Sequence, residues 1–302
     1  MQQITMKACC PRCGRESPLH FRVGDLNRRI TDDVFDYFRC VSCGIIFLDP
    51  VPLNLGRYYP GDYYHVPTSL QKLALAAEPE RYKIDIVRRF TSGGSLLEIG
   101  PAYGSFCYLA KQAGFKVDAI EMDAGCCRFM NEVVGINAIH SIDTEAALRS
   151  AGPYDVIALW HVVEHLSNPW ETMKLFAQRL NPGGLLVMAA PNPDAFQFRV
   201  FGRFWTHLDA PRHLELIPSA TLSEHARQLG LNPLLITTTD EGSLGWNAFG
   251  WEMSLHNFSG NRYVKRGLRL IGNIVSRIVA PIEHAERRGS AYTAVFRKDR
   301  PA

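Results

Sequence analysis

The sequence shows no marked excess of one charge and no long apolar run. Its 302 residues include 33 Lys and Arg and 30 Asp and Glu, which gives a formal net charge of +3. That balance does not by itself indicate a nucleic-acid partner or an acidic surface as partner. No apolar run approaches the roughly 18 residues that span a bilayer, and the first residues, MQQITMKACC, lack the layout of a signal peptide. We therefore expect a cytoplasmic protein with no nucleic-acid partner.

Disulfides are not expected either, because a reducing compartment keeps thiols free, yet the sequence has eight cysteines. Four of them form two pairs of matching spacing, Cys10 with Cys13 and Cys40 with Cys43, each followed by a glycine. Four thiolates complete the tetrahedral coordination of zinc and leave no position for a substrate, so the spacing predicts a structural zinc site. Cys9 competes with Cys10 as a ligand, and buried cysteines without metal are the alternative.

The composition allows one large domain and a small one, since 46% of the residues are hydrophobic. A hairpin such as 21–38 is predicted to fill the gap between the cysteine pairs. The segment that follows the second pair is rich in Pro, Gly and Tyr, which is typical of a linker. The predicted domains are a zinc-ribbon module with its linker at 1–66 and a larger domain at 67–302, with insertions at 192–217 and 241–289.

Apolar and amphipathic stretches alternate from residue 80 onwards, which predicts a doubly wound sheet with helices on both faces. The predicted strands are 95–100, 116–121, 138–141, 154–160, 185–190, 234–239 and 291–298. The last two would complete the sheet as an antiparallel pair. The predicted fold class is α/β, with a Rossmann-like, mostly parallel sheet and an antiparallel final strand, preceded by the small zinc-ribbon module.

The segment SLLEIGPAYGSFCYLAKQAGFKVDAIEMD combines a strand, a glycine turn, a helix and a second strand that ends in an acid. Gly100 and Gly104 can adopt backbone angles closed to other residues, and Glu121 can accept hydrogen bonds from ribose hydroxyls. The turn lacks the GxGxxG spacing of dinucleotide sites and the lysine of a P-loop. The predicted ligand therefore carries a ribose but no pyrophosphate.

This segment resembles the class I S-adenosylmethionine-dependent methyltransferases. In that family the E-x-G-x-x-x-G turn lies beside the methionine part of the cofactor, and the acid binds the ribose; many members have glycine where this chain has Ala102. Asp143 stands where the family often binds the adenine amino group, although it would equally cap the next helix. The cofactor contacts that the resemblance implies are Glu98, Gly100, Ala102, Gly104, Glu121, Met122, Asp143 and His161.

A first polar cluster, His161-Val-Val-Glu164-His165, follows the fourth predicted strand. If the turn is helical, these three side chains share one face. The cluster is similar to a run that can hold a divalent metal in quinone-type O-methylating enzymes, although there the first position is usually acidic. A general base is the second role, because an imidazole can take a proton from the acceptor near neutral pH. The third is structural, with Glu164 and His165 positioning the loop over the cofactor.

A second polar cluster follows the fifth strand and contains Trp205, His207, Asp209, Arg212 and His213. Charges of both signs among aromatic residues, in a loop longer than usual, predict an acceptor pocket. The alternative is an internal ion pair between Asp209 and Arg212 that braces the loop. The DAPRH run and the CGIIFLDP continuation of the second cysteine pair resemble a bacterial methyltransferase group associated with sugars and surface glycans. His165 and His213 are the candidate bases.

Residues 263–282 predict an amphipathic helix near the end of the chain. Its apolar residues, at spacings of three and four, are Val264, Leu268, Ile271, Val275, Ile278 and Ile282. Such a stripe usually packs on its own protein, which is the interpretation we prefer. Docking on a membrane surface and formation of a homodimer are the alternatives, since several Lys and Arg residues flank the stripe.

Together these features predict a methyltransferase with a structural zinc site. The resemblance implies in-line transfer of the methyl group of S-adenosylmethionine to a small-molecule or sugar-containing acceptor, and we prefer oxygen over carbon as the methylated atom. Methylation of an RNA base is a second hypothesis, because some RNA methyltransferases also carry zinc modules. A zinc-ribbon interaction protein on an inactive methyltransferase scaffold is the third.

Overall fold

The computed structural model describes residues 6–59, 63–285 and 287–300. Within these ranges the strands form two sheets. The strands are β1 (Lys7–Cys9), β2 (Glu16–Gly24), β3 (Val34–Arg39), β4 (Ile46–Leu48), β5 (Ser95–Ile99), β6 (Lys116–Glu121), β7 (Asn137–His140), β8 (Tyr154–Trp160), β9 (Leu180–Pro191), β10 (Glu215–Leu216), β11 (Leu231–Thr237) and β12 (Ala291–Lys298).

The larger sheet has the order β11-β12-β9-β8-β5-β6-β7. Strands β5 to β9 are parallel to one another, whereas β12 runs antiparallel to both β9 and β11. The central strands are continuous apolar runs because helices cover both faces; residues 156–160 of β8 are all buried. The predicted fold class, including the antiparallel final strand, is confirmed. The chain leaves β5 towards β6 on one side and later returns to its other side as β8, so the strand order reverses at β5.

Ten helices connect or cover the strands in the described part of the chain, and α10 corresponds to the helix predicted at 263–282. They are α1 (Leu70–Ala77), α2 (Arg81–Arg88), α3 (Ser105–Gln112), α4 (Ala124–Phe129), α5 (Thr144–Ser150), α6 (Pro169–Arg179), α7 (Phe196–Phe201), α8 (Ser219–Gln228), α9 (Glu241–His256) and α10 (Arg262–Glu283). Several begin at a side chain that accepts a backbone N–H, as Asp123 does for α4, Asn168 for α6 and Asp240 for α9. Such caps satisfy amides that have no partner within the helix.

The smaller sheet has the order β1-β2-β3-β4-β10. The hairpin of β2 and β3 fills the gap between the two cysteine pairs, as predicted. Strand β10, however, comes from the 192–217 insertion and pairs with β4 through Leu216 and Ile46. The predicted domain boundary at residue 66 stays a prediction. The small sheet, whose other strands come from the first segment (1–66), is completed by β10 from the second segment (67–302).

Helices α9 and α10 form most of the 241–289 insertion and pack closely on each other. The contact uses small residues: a Cβ on Gly272 would lie 2.7 Å from Glu252 Cα, and Ser276 is buried as well. The predicted stripe takes little part in this contact, since Ile271 and Ile278 are 50% and 70% exposed. The preferred interpretation, that the stripe packs on its own protein, is therefore wrong for most of its length. In the described part of the chain, no helix is long and apolar enough to cross a membrane.

Candidate active site

A cavity of about 920 Å³ opens at the carboxyl ends of the parallel strands. Its walls include Gly100 after β5, Glu121 at the end of β6, His161 after β8 and Pro191 at the end of β9. This edge, where the strand order reverses, is the place at which open α/β sheets bind ligands. The cavity therefore lies where the fold predicts a site.

The Glu121 carboxylate is held at the glycine turn by backbone donors. Its Oε2 accepts from Ala102 N at 2.9 Å and its Oε1 from Asp123 N at 2.8 Å. Burial raises the pKa of Glu121 above its usual value, against the effect of these amides. Each carboxylate oxygen keeps a second lone pair. The carboxylate can thus accept further hydrogen bonds from a ligand in the cavity.

The turn itself needs glycine at the point nearest the neighbouring loop. Gly100 has a φ of +65°, and a Cβ there would lie 2.7 Å from Val162 Cγ2. Ala102, which replaces a frequent glycine, also has a positive φ, +53°. Such angles are costly for alanine and are found mainly where a site requires them.

Two of the predicted cofactor contacts do not line the cavity. Glu98 is buried beneath α3, where it accepts from Cys107 Sγ at 2.9 Å, and burial raises its pKa to about 7. Gly104 faces Met130, whose Sδ would lie 2.8 Å from an added Cβ. The other six predicted contacts line the cavity: Gly100, Ala102, Glu121, Met122, Asp143 and His161. Asp143 also caps α5 through Ala146 N, so the cap and a place in the cavity wall are compatible.

The first polar cluster surrounds a buried carboxylate. Glu164 is 1% exposed, and neither of its oxygens has a hydrogen-bond partner among the described residues. Oε1 lies 3.6 Å from His161 Nδ1 and 4.0 Å from His213 Nε2. Burial acts to raise the pKa of Glu164, but the neighbouring histidines outweigh burial and lower it. A buried charge without donors is costly, so the cluster favours a ligand that donates a hydrogen bond or carries positive charge.

Two histidines near this carboxylate each keep one ring nitrogen free. His165 Nδ1 lies 2.9 Å from the carbonyl oxygen of Arg212, and His213 Nδ1 lies 2.8 Å from that of His207. A carbonyl oxygen only accepts, so both Nδ1 atoms carry the proton and a neutral ring keeps its lone pair on Nε2. Burial lowers the pKa of His165 to about 4. Ligand atoms of Glu164, His165 and His213 all lie within 4.8 Å of one another, whereas His161 is outside this group.

Some residues of the second polar cluster line the cavity, and the others are buried in the protein interior. His207 and Asp209 line the cavity, and so does His213. Trp205 does not: it is 2% exposed and donates to Gln197. Burial lowers the pKa of His207 to about 3.

The prediction that Arg212 binds substrate is not supported by its position. Its side chain is fully buried, and its guanidinium donates to Asp209 at 2.8 Å and to Asp25 at 2.7 Å. The alternative interpretation, an internal ion pair that braces the loop, describes it correctly. This ion pair also joins the first segment (1–66) to the 192–217 insertion, because Asp25 belongs to the hairpin loop between β2 and β3.

Large side chains outside the two predicted clusters, most of them aromatic, complete the cavity. Tyr59 lies in the segment interpreted as a linker, and its hydroxyl is 3.0 Å from His165 Nδ1. Tyr63 and Tyr64 from the same segment also line the cavity. From α9 come Trp246, Phe249 and Met253. Their spacing of three and four residues is a helical signal that could have identified this wall.

The four predicted zinc ligands converge at the start of the chain. The Sγ atoms of Cys10 and Cys43 lie 3.5 Å apart, and those of Cys13 and Cys40 lie 3.6 Å apart. Tetrahedral zinc with Zn–S bonds of about 2.3 Å requires sulfur atoms separated by roughly 3.8 Å. Both turns share one geometry, since Gly14 N donates to Cys10 O and Gly44 N to Cys40 O. The donor set therefore fits zinc.

Cys9, the competing ligand, is exposed and is not part of the group of four.

Comparisons with known proteins point to one family. A family model described as a methyltransferase domain matches residues 74–236. The ubiquinone biosynthesis O-methyltransferase of Cereibacter sphaeroides is 27% identical over 173 residues, covering 54% of this chain and 68% of that protein. The protein of the same name from Ruegeria pomeroyi is 28% identical over 174 residues, with the same coverage. A SAM dependent methyltransferase structure from Archaeoglobus fulgidus has a TM-score of 0.50 at 17% identity, covers 74% of this chain and 94% of its own, and is similar in fold.

Proposed function

The chain belongs to the methyltransferase-domain family, and from this premise we propose that it transfers the methyl group of S-adenosylmethionine to a hydroxyl oxygen of a small-molecule or sugar-containing acceptor. The observation that carries the choice of oxygen is the buried Glu164 carboxylate, which faces the cavity without a donor. A hydroxyl group supplies the missing donor. The O-methyltransferase activity for which the relatives are named also supports oxygen.

The cofactor is proposed to bind at the glycine turn. Glu121, already held by two backbone amides, would accept from the ribose hydroxyls with its remaining lone pairs. Asp143, on the same wall, is a candidate for the adenine amino group. The absence of a phosphate-binding motif in this turn agrees with a cofactor that has a ribose but no pyrophosphate.

The acceptor is proposed to bind between Glu164 and the aromatic wall. Its hydroxyl would donate to Glu164, and its oxygen would attack the methyl carbon in line with the bond to sulfur. A C–O bond then forms, the C–S bond breaks, and the sulfonium becomes a neutral thioether. The single hydroxyl proton would leave along its hydrogen bond to Glu164 and pass on to His213 Nε2, which lies 4.0 Å from Glu164 Oε1; the carboxylate then stabilises the imidazolium. His165 is less suited as base, because burial lowers its pKa to about 4.

A divalent cation is a second candidate occupant of the same cluster. Glu164, His165 and His213 offer two imidazole nitrogens and a carboxylate, and both imidazoles have the second nitrogen bonded to a carbonyl, as metal-binding histidines usually do. A bound cation would lower the pKa of an acceptor hydroxyl. Dialysis against a chelator followed by turnover assays tests this candidate.

The group of four cysteines is proposed to hold a structural zinc ion. Its sulfur separations and its two matching turns support this proposal. All four positions are filled by thiolates, so the ion would have no open site for chemistry.

The central experiment is calorimetric titration with S-adenosylmethionine, followed by an acceptor screen with the labelled cofactor on nucleotide sugars, lipid-linked sugars and phenols. We expect cofactor binding that is lost in Glu121→Ala. Glu164→Gln and His213→Ala should bind the cofactor normally but lower kcat by about a hundred- to ten-thousandfold.

His284→Ala, an exposed histidine on the chain segment after α10, is the matched control and should behave as wild type. No cofactor binding would reject the enzyme in favour of an inactive scaffold. Wild-type turnover and pH profile in both His165→Ala and His213→Ala would reject a histidine base.

A further inference from the structure

Helix α10 has two unlike faces, and the one turned away from the protein is apolar. On the packed side Gly272 and Ser276 are buried against α9. On the opposite side Leu270, Ile274 and Ile278 are 64%, 51% and 70% exposed. Spacings of four residues place these three side chains in one row. Single exposed apolar residues need no explanation, but a continuous row of this kind indicates an interaction surface.

The apolar row runs almost the full length of the helix. Tyr263 at one end is 72% exposed and Ile282 at the other is 38% exposed. Tyr263 and Ile282 are 19 residues apart, which corresponds to about 29 Å along the helix axis. The turn before the helix adds Phe258, which is 54% exposed and packs on Phe204 with ring centroids 5.2 Å apart.

The charge beside this row has one sign. Helix α10 contains five basic residues and one acid, and the acid, Glu283, is buried against Trp251. Arg269 pairs with Glu252 of α9. Arg266 and Arg277 form no ion pair with any of the described residues. The exposed side of the helix thus combines an apolar row with uncompensated positive charge.

We propose that α10 docks in the plane of an anionic lipid bilayer. A bilayer surface offers acyl chains to the apolar row and negative headgroups to the arginines, which is the pairing that amphipathic interfacial helices use. A second copy of the chain fits less well, because two such faces would bring arginines of like charge together with no exposed acid on α10 to pair with them.

Docking would bring the candidate active site to the membrane. Helix α9 holds α10 on one side, and on the other it places Trp246, Phe249 and Met253 in the cavity wall. The cavity would then lie about one helix diameter, roughly 10 Å, from the bilayer surface. This step rests on the proposed function, and it favours an acceptor that is itself amphiphilic.

The test is co-sedimentation of the full chain with vesicles of phosphatidylglycerol mixed with phosphatidylcholine, compared with pure phosphatidylcholine. We expect binding to the anionic vesicles that weakens as salt is added. The double variant Ile274→Asp, Ile278→Asp should lower the partition coefficient more than tenfold. Arg266→Glu and Arg277→Glu should each lower it about fivefold or more, and only for anionic vesicles.

Leu75→Asp on α1, where Leu75 is 73% exposed, and Arg227→Glu on α8 are matched controls that should bind as wild type. No binding of the wild type to anionic vesicles would overturn the proposal, as would unchanged binding of the Ile274, Ile278 double variant. A dimer in sedimentation equilibrium that this variant dissolves, without vesicle binding, would identify a homodimer face instead. Calorimetric titration with S-adenosylmethionine is independent of these variants, so a failure of the proposed function would be seen separately.

Discussion

At the scale of single residues, the position of Glu98 is that of a structural carboxylate and not that of a cofactor ligand. It belongs to the turn motif, yet it lies beneath α3 with the thiol of Cys107 as its donor. Burial raises its pKa to about 7, well above the value near 4.5 in the unfolded chain. The folded state therefore holds this proton more tightly. The stabilisation is fully present below pH 4.5 and is lost as the pH rises to about 7.

We therefore expect Glu98→Gln to raise the free energy of unfolding at pH 8 by on the order of 2–3 kcal/mol and to change it little at pH 4. Denaturant titrations at the two pH values measure this difference. The affinity for S-adenosylmethionine should stay the same, because Glu98 does not line the cavity. A large loss of affinity would restore Glu98 as a cofactor ligand.

Arg212 shows how one residue can be recognised and still be assigned the wrong role. Its fully buried guanidinium donates to Asp25 and Asp209, so Arg212→Met would leave two buried carboxylates without a cationic partner. We expect a loss of about 3–5 kcal/mol of stability, measured by denaturant unfolding. Arg203→Met, an exposed arginine of the same insertion, should change stability by less than about 0.5 kcal/mol. Equal effects of the two changes would contradict the brace.

At the scale of elements, two glycines of α10 provide a matched pair. A Cβ on Gly272 would meet the backbone of α9 at 2.7 Å, whereas nothing lies within 4 Å of one on Gly267. We expect Gly272→Ala to destabilise the protein by about 1–3 kcal/mol and to raise the KM for the acceptor, because α9 carries Trp246. Gly267→Ala should stabilise by up to about 1 kcal/mol, since alanine is the better helix former. The opposite order of stabilities would show that α9 and α10 are not closely packed.

The elements also show what the sequence could and could not predict. The parallel strands were predictable because strands such as β8 contain a long apolar run, residues 156–160, which is a local property of the sequence. Strand β10 has two residues and exists because β4 offers an edge, so no local pattern marks it. The burial of the α10 stripe was misjudged for a related reason: an apolar period shows that a helix has an apolar face but does not show whether the protein or another surface covers it.

In the candidate site, too, some residues were predictable from local sequence and others were not. Residues next to strand ends, such as His161 and Glu164, were predictable because parallel strands bring their carboxyl ends to one edge. Tyr59 reaches His165 across 106 positions of sequence, and its segment has the composition of a linker. Contacts of that kind depend on how the first segment (1–66) folds against the second (67–302). The spacing of residues within either segment contains no information about this.

At the scale of the whole molecule, the first segment (1–66) forms part of the cavity wall on the side proposed to bind the acceptor. Tyr59 and Asn27 line it, Asp25 anchors the Arg212 loop, and β4 pairs with β10. The cysteine group does not line the cavity, but we expect it to support the proposed acceptor site through the small sheet. Because Glu121 ends a strand of the larger sheet and the glycine turn follows another, the proposed cofactor site should depend less on a zinc ion at the cysteines.

We expect Cys40→Ser to lose the bound metal, measured by elemental analysis, and to expose the small sheet to limited proteolysis. The KM for the acceptor should rise more than about tenfold, a loss of about 1.4 kcal/mol in binding, while the Kd for S-adenosylmethionine changes less. Cys9→Ser is the matched control: its thiol lies outside the group of four, so metal content and both constants should remain those of the wild type. Equal losses in acceptor and cofactor binding would contradict a role of the first segment on the acceptor side, because a general collapse of the fold affects both.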